Sequence, residues 1–184
     1  MCLHNESIIS TLLRKNKRHI YDKESFDILS KLLKNHPDAG FIDIGANLGP
    51  YTIFVSKLYQ RNVVAVEPFP PVIKRFQKSL QINGLTGYVT LITNPITESR
   101  GTKFFYQNKA HVGENKLAVE FEKSARPMLK MNTIVMVDLI EIIPFQSAAI
   151  KIDVEGEESR AFNKASQLIS ISINNYAKYI FSQA

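Results

Sequence analysis

The sequence predicts an α/β fold in which a doubly wound, mostly parallel β-sheet carries helices on both faces. Three segments support this prediction, because each places an apolar strand directly before glycine or acidic residues: FIDIGANLGPYTIF at 41–54, NVVAVE at 62–67 and AAIKIDVEGEE at 148–158. Strands that alternate with helices form parallel sheets through right-handed crossovers. Since such sheets bind ligands at the carboxyl ends of their strands, the three segments also predict a common site.

Apolar spacing and helix-ending residues predict the elements in chain order. Residues 1–39 predict a helical cover on the sheet, with helices at 7–18 and 23–34 and a closing turn. Residues 40–184 predict the main domain. Its predicted order is strand 40–45, helix 50–59, strand 62–67, helix 71–82, strand 89–93, edge strands 102–106 and 131–135, strand 150–154 and helix 157–168.

The glycine turn after the first strand differs from a dinucleotide-binding fingerprint. Gly45 and Gly49 let the backbone turn tightly and approach a ligand closely. Asn47 stands where the pattern G-x-G-x-x-G has its second glycine, so the segment follows D-x-G-x-N-x-G. The carboxylate of Asp43 suits a cationic, amine-bearing ligand better than a pyrophosphate, which it would repel. S-adenosylmethionine is a ligand of that kind.

Acidic residues end the other two strands. Glu67 follows Gly49 by 18 residues, close to the ~20 expected for an acid that binds ribose hydroxyls. Asp153 and Glu155 lie at the end of the strand at 150–154, where carboxylates more often face a cleft than a core. These positions predict an adenosine contact at Glu67 and contacts to the reacting groups at Asp153 and Glu155.

The segments FIDIGANLGPYT, VVAVEPFP, ITESRGTKFFY and IKIDVEGEE, in this order, resemble the FkbM family of S-adenosylmethionine-dependent methyltransferases over residues 41–165. The resemblance implies a Rossmann-like methyltransferase fold, S-adenosylmethionine as cofactor, and methyl transfer to a hydroxyl of a small molecule or glycan. It also implies that Glu67 is the ribose-binding acid and that Glu98 lies near the adenine amine. Five residues match the family's cofactor loop: Asp43, Gly45, Ala46, Asn47 and Gly49.

Methyl transfer asks mainly that the protein align the acceptor with the methyl group and exclude water, because the sulfonium is already activated. Asp153 and Glu155 are the candidate catalytic residues, either as the base for a hydroxyl or as ligands of a metal that lowers the hydroxyl pKa. Two carboxylates at one strand end do not establish a metal, so none is predicted. His111 is a weaker candidate base within the polar loop 107–126, where substrate contacts are expected.

Composition predicts a single globular domain in a reducing, cytoplasmic setting. The 184 residues are 45% hydrophobic and 22% charged, and Cys2 is the only cysteine. No apolar run approaches the ~18 residues of a membrane span, and the N-terminus lacks a signal-peptide layout. Much of the net charge of +6 lies in RKNKRH at 14–19 without interleaved aromatic residues, so no nucleic-acid partner is expected.

The last residues predict a sheet that is truncated at its C-terminal strands. After residue 168 only ISISINNYAKYIFSQA remains, in which 171–173 suits one strand and 176–181 suits a short helix or a further strand. An exposed sheet edge predicts poor solubility or a homodimer formed through that edge. Two other functions stay open: a non-catalytic remnant that binds the cofactor or a partner, and an NAD-dependent oxidoreductase, which the missing glycine pattern disfavours.

Overall fold

The computed structural model describes residues 22–106, 116–117, 128–153 and 179–182. The helices in these ranges are α1 (Lys23–Asn35), α2 (Pro50–Tyr59) and α3 (Pro70–Ile82), together with a 3₁₀-helix at Met136–Glu141. The strands are β1 (Gly40–Ile44), β2 (Val63–Val66), β3 (Val89–Ile92), β4 (Gly101–Tyr106), β5 (Lys116–Leu117), β6 (Met128–Thr133), β7 (Ala148–Ile152) and β8 (Tyr179–Ser182).

Five of the described strands form one sheet in the order β3-β2-β1-β7-β8, and every neighbouring pair is parallel. The chain moves outward from β1 to β3 and then returns to the other side of β1 through β7. The direction of winding therefore reverses between β1 and β7, where doubly wound sheets open a crevice for ligands. The predicted α/β fold, with a parallel sheet flanked by helices, is confirmed.

The central strands are buried and mostly apolar because both faces of the sheet are covered. All five residues of β1 and all four of β2 are buried. Phe41 on one face packs in a cluster with Leu29 of α1 and Phe76 of α3. Ile42 on the other face packs in a cluster with Leu139 of the 3₁₀-helix. Side chains alternate between the faces along each strand, so neighbouring residues of β1 contribute to different clusters.

Local sequence determines where the helices begin. Asp22 caps α1 by accepting a hydrogen bond from the N–H of Ser25 at 3.4 Å. Pro50 and Pro70 begin α2 and α3, where a missing N–H breaks no hydrogen bond within the helix. Gly49, directly before α2, has a φ of 79°, a conformation that glycine adopts without strain.

The prediction that strands 102–106 and 131–135 lie at the edge of the main sheet is wrong. β4 and β6 pair antiparallel and form a separate small sheet in the order β5-β4-β6. The physical reason is their polar face, on which Thr102 donates to the exposed side chain of Asn132 at 3.1 Å. Strands with one solvated face suit antiparallel sheets, whereas parallel strands are covered on both faces.

Predictions near the ends of the chain have mixed outcomes. The helix at 23–34 is confirmed as α1, and β8 shows that residues 179–182 are extended and parallel to β7. The helices predicted at 7–18 and 157–168 and the strand at 171–173 lie outside the described residues. The division of the chain at residue 40, the truncated sheet and the homodimer stay predictions.

None of the helices within the described ranges is long and apolar enough to cross a bilayer. The cytoplasmic setting stays a prediction.

Candidate active site

Gly45 forms the first corner of the turn that follows β1. Its φ of 75° lies in the left-handed region, and its N–H and that of Ala46 both donate to the carbonyl oxygen of Val66 at 3.0 Å. A Cβ on Gly45 would lie 1.8 Å from the carbonyl oxygen of Asp153. The turn and the end of β7 therefore meet backbone to backbone, which requires glycine at this position.

Asn47 and Gly49 complete the turn, which we call the cofactor turn (residues 45–49). Asn47 has a φ of 52°, a conformation that asparagine adopts more readily than most residues with a side chain. A Cβ on Gly49 would lie 2.0 Å from the ring of Phe76 in α3. The shape of the turn is thus set by close packing against α3 as well as against β7.

Glu67 lies beside the cofactor turn, at the end of β2. Its Oε2 accepts the N–H of Asn47 at 2.8 Å and its Oε1 accepts the N–H of Phe69 at 2.9 Å. Burial raises the pKa of Glu67 to about 7, although the two N–H contacts act in the opposite direction. Each carboxylate oxygen retains a further lone pair, so this group can accept hydroxyl groups while it holds the turn.

A buried ion pair joins β1 and β7 next to the turn. Asp43 and Lys151 are direct partners in the register of the two strands, and Lys151 Nζ lies 3.3 Å from Asp43 Oδ1. Thr52 Oγ1 donates to the other carboxylate oxygen at 2.7 Å, and Asp43 is 0% exposed. The carboxylate therefore has its partners within the protein. A direct contact between Asp43 and a cationic ligand stays a prediction.

Asp153 is the acidic group of this cluster that reaches solvent. Its side chain is 35% exposed, and its Oδ2 lies 3.4 Å from Lys151 Nζ. Its own N–H donates to the carbonyl oxygen of Ile44 at 3.0 Å. Lys151 Nζ also donates to the carbonyl oxygen of Gly45 at 3.1 Å. Asp153, Lys151 and the cofactor turn thus form one connected group where the winding of the sheet reverses.

The helix α1 contacts the site through Tyr51, in the first turn of α2. The ring of Tyr51 stacks on Phe26 with centroids 4.3 Å apart, and its hydroxyl donates to Asp22. Burial, together with the Asp22 carboxylate, raises the pKa of Tyr51 above its usual value. Lys151 Nζ lies 5.3 Å from the centre of the Tyr51 ring, within the range of a cation–π contact.

The small antiparallel sheet borders the cofactor turn. Leu129 of β6 packs against a buried cluster formed by Leu48, Phe69 and Val72. Leu48 belongs to the turn, and Phe69 donates its N–H to Glu67. The site therefore lies between the end of the parallel sheet and the small sheet.

Comparison with protein-family models decides the family. The model of the methyltransferase FkbM domain matches residues 43–178, well over half of the chain. The chain belongs to the FkbM methyltransferase family.

A solved structure agrees with the FkbM assignment at the level of the fold. The crystal structure of methyltransferase FkbM from Methylobacillus flagellatus KT aligns with a TM-score of 0.50 and 19% sequence identity, over 73% of this chain and 31% of that chain. At this identity the likeness shows the fold alone, which confirms the predicted Rossmann-like methyltransferase fold. The chain spans about a third of the length of that structure. The comparison with curated proteins gives no match to this chain.

The structure brings the residues assigned to the FkbM cofactor loop together with Glu67 and Asp153. Glu98 is exposed in the loop before β4, where it lies 3.7 Å from Lys103 Nζ, and its place near adenine stays a prediction. Glu155 and His111 lie outside the described residues. Within the ranges that the structure describes, no group of three or more His, Cys, Asp or Glu residues is arranged to hold a metal ion.

Sequence reasoning misses two residues of this FkbM site. Lys151 does leave a signal, because it is the one charge within the apolar strand AAIKI and buried charges require partners. Asp43 is the matching charge within the buried strand β1. Tyr51 leaves no comparable signal, since its partners are Phe26 of α1 and the α1 cap Asp22, which precede the sheet in the chain.

Proposed function

We propose that this FkbM domain uses S-adenosylmethionine to methylate a hydroxyl group of a small molecule or glycan. The observation that carries the proposal is the contact between Glu67 and the cofactor turn, where the N–H of Asn47 donates to Glu67 Oε2 at 2.8 Å. An adenosyl ligand of a doubly wound sheet needs a turn that its ribose can approach closely and an acid that accepts the ribose hydroxyls. This contact joins both features at the ends of β1 and β2.

The chemistry of the turn fits this cofactor. Gly45 and Gly49 let the backbone pack closely against Asp153 and Phe76, and this packing places the turn beside Glu67. Glu67 uses one lone pair of each oxygen for the protein's own N–H groups and has others for hydroxyls. Asp43 belongs to the same site as the counter-charge of Lys151.

Asp153 is the proposed catalytic base. The bound cofactor supplies a methyl group that needs no further activation. The protein must then hold the acceptor in line, exclude water and take up the hydroxyl proton. Asp153 is the carboxylate of the described cluster that reaches solvent, so an acceptor can meet it at the crevice. The sequence pattern gives Glu155 the same role, and no metal enters the proposal.

Acceptor contacts are assigned to the segment 107–126. This segment follows β4 in the chain and contains β5, and β6 borders the cofactor turn through Leu129. Loops carried by a rigid sheet commonly supply binding residues. The hydroxyl as the accepting group rests on the family resemblance.

Calorimetric titration of the purified chain with S-adenosylmethionine, S-adenosylhomocysteine and NAD tests the cofactor. We expect both adenosyl ligands to bind, with affinity at least tenfold weaker in Glu67→Ala. Glu141→Ala is the matched control, because it removes an exposed carboxylate from the 3₁₀-helix, and it should bind as the wild type does. Thermal melts verify that each variant is folded. Binding of NAD alone would overturn the methyltransferase proposal.

Transfer of a labelled methyl group tests the acceptor. The wild-type chain is incubated with labelled S-adenosylmethionine and a panel of alcohols, sugars and glycans, and label in any hydroxyl compound supports the proposal. Cofactor binding without transfer to any member of the panel would favour the non-catalytic remnant.

A further inference from the structure

Lys151 is a buried cation that contacts more groups than the single carboxylate needed to balance its charge. Its side chain is 6% exposed and lies opposite the fully buried Asp43 in the register of β1 and β7. A buried lysine is rare unless it is paired, so the ion pair accounts for its presence in an apolar strand. Its remaining contacts need a separate explanation.

Those remaining contacts lie on two different segments of the site. Lys151 Nζ donates to the carbonyl oxygen of Gly45 at 3.1 Å, which is part of the cofactor turn. It also lies 3.4 Å from the carboxylate of Asp153, at the end of β7. Lys151 thus donates hydrogen bonds to Asp43 and Gly45 and forms an ion pair with Asp153.

We propose that Lys151 is a positioning residue that locks the cofactor turn to Asp153. The inference rests on the proposed function, because it concerns how that site holds its cofactor. Two carboxylates, Asp43 and Asp153, lie near one another here, and without the ammonium they would repel each other. The exposed one, Asp153, would then turn towards solvent, and the carbonyl of Gly45 would lose its side-chain donor.

A pair of variants separates this role from simple neutralisation of Asp43. Lys151→Met alone leaves a buried carboxylate without its cation, which should lower the melting temperature by roughly 10 °C. Asp43→Asn removes the buried negative charge that Lys151 balances, and it serves as the background in which Lys151 is then replaced. Asp43→Asn/Lys151→Met differs from that background in the remaining contacts of Lys151, which are those to Gly45, to Asp153 and to the Tyr51 ring. Lys57→Met is the control, because this lysine is exposed and donates to Asn83, which caps the C-terminal end of α3.

Two readouts apply to each variant: the Kd for S-adenosylhomocysteine, and amide hydrogen exchange across the cofactor turn in the ligand-free protein. Relative to Asp43→Asn, we expect the double variant to bind at least tenfold more weakly. Its Ala46 amide, which donates to Val66, should exchange at least tenfold faster. Lys57→Met should match the wild type in both measurements.

Equal affinity and equal exchange in Asp43→Asn and the double variant would overturn the proposal, because Lys151 would then serve only to neutralise Asp43. A double variant that unfolds in a background that folds would also count against the proposal, because Lys151 would then stabilise the whole fold and not the turn in particular. If the wild type binds no adenosyl ligand, the proposed function fails. Hydrogen exchange in the ligand-free chain then still decides whether Lys151 holds the turn.

Discussion

Replacing Glu67 with glutamine should remove the pH dependence of cofactor binding. In the wild type, burial raises the pKa of Glu67 from 4.5 to about 7. On the proposed function, ribose hydroxyls bind best to the ionised carboxylate, because its oxygens act only as acceptors and bond more strongly than those of the neutral acid. Affinity should therefore increase as pH rises through about 7 and decrease below it.

The size of the effect follows from the ionised fraction of Glu67. With a pKa of about 7, roughly nine-tenths of the carboxyl is ionised at pH 8 and roughly one-tenth at pH 6. The apparent Kd varies inversely with the fraction of protein whose Glu67 is ionised. The wild type should therefore bind roughly tenfold more weakly at pH 6 than at pH 8, a difference of about 1.4 kcal/mol in binding free energy. Glu67→Gln is neutral at both values and should bind weakly at both.

The stability of the fold should depend on pH in the opposite direction. The folded state holds the Glu67 proton more tightly than the unfolded state does, so this contribution to the free energy of unfolding is complete below pH 4.5. It is lost as the pH rises through about 7. The pKa shift corresponds to roughly 3 kcal/mol. Melting curves of the wild type and Glu67→Gln, recorded from pH 4.5 to pH 8, isolate the contribution of Glu67 from that of other titrating groups.

Calorimetry with S-adenosylhomocysteine at pH 6, 7 and 8 is the assay. Ionisation of the ligand itself cancels when wild type and variant are compared at the same pH. Glu141→Gln is the control and should keep the wild-type slope, because its carboxylate is exposed. Equal wild-type affinity at pH 6 and pH 8 would refute the role assigned to Glu67. A slope that persists in Glu67→Gln would assign the titration to another group.

Two further substitutions test the close contacts of the site. Gly45→Ala places a Cβ on a backbone in the left-handed conformation and against the carbonyl oxygen of Asp153. It should lower the free energy of unfolding by more than about 1 kcal/mol and prevent cofactor binding. Gly87→Ala, whose added Cβ meets no atom within 4 Å, should change stability by less than about 0.5 kcal/mol; equal melts of the two variants would contradict the close approach. Tyr51→Phe keeps the ring but removes the hydroxyl that donates to Asp22, so chemical denaturation should show a loss of about 1–2 kcal/mol. An unchanged free energy of unfolding would contradict that hydrogen bond.

The cofactor turn is predictable from sequence because its determinants are local. A short apolar strand, two glycines and a proline at the first helical position specify strand, turn and helix within about 15 residues. Glu67 follows from the same logic, since it ends the next buried strand. The structure adds why the turn has this sequence: Gly45 meets β7, and Gly49 meets α3.

The small antiparallel sheet shows where local reasoning fails. The extended character of 102–106 and 131–135 is evident from sequence, but the choice of partner strand is not. It depends on which faces other elements cover, and that is settled only when the whole chain packs. β4 and β6 pair with each other because each keeps a solvated face, as the exposed Thr102 and Asn132 show.

Asp43 illustrates a second limit, because the sequence pattern does not reveal which cations a buried carboxylate meets. A carboxylate before the first glycine favours a cation, and the protein supplies that cation itself from Lys151, 108 residues further along the chain. The buried charges of Asp43 and Lys151 cancel. Asp153 is then the carboxylate of the site that solvent reaches, whereas Glu67 is buried and only partly ionised at neutral pH. On the proposed function, the buried pair holds this exposed carboxylate beside the turn, where a hydroxyl acceptor can give up its proton to it.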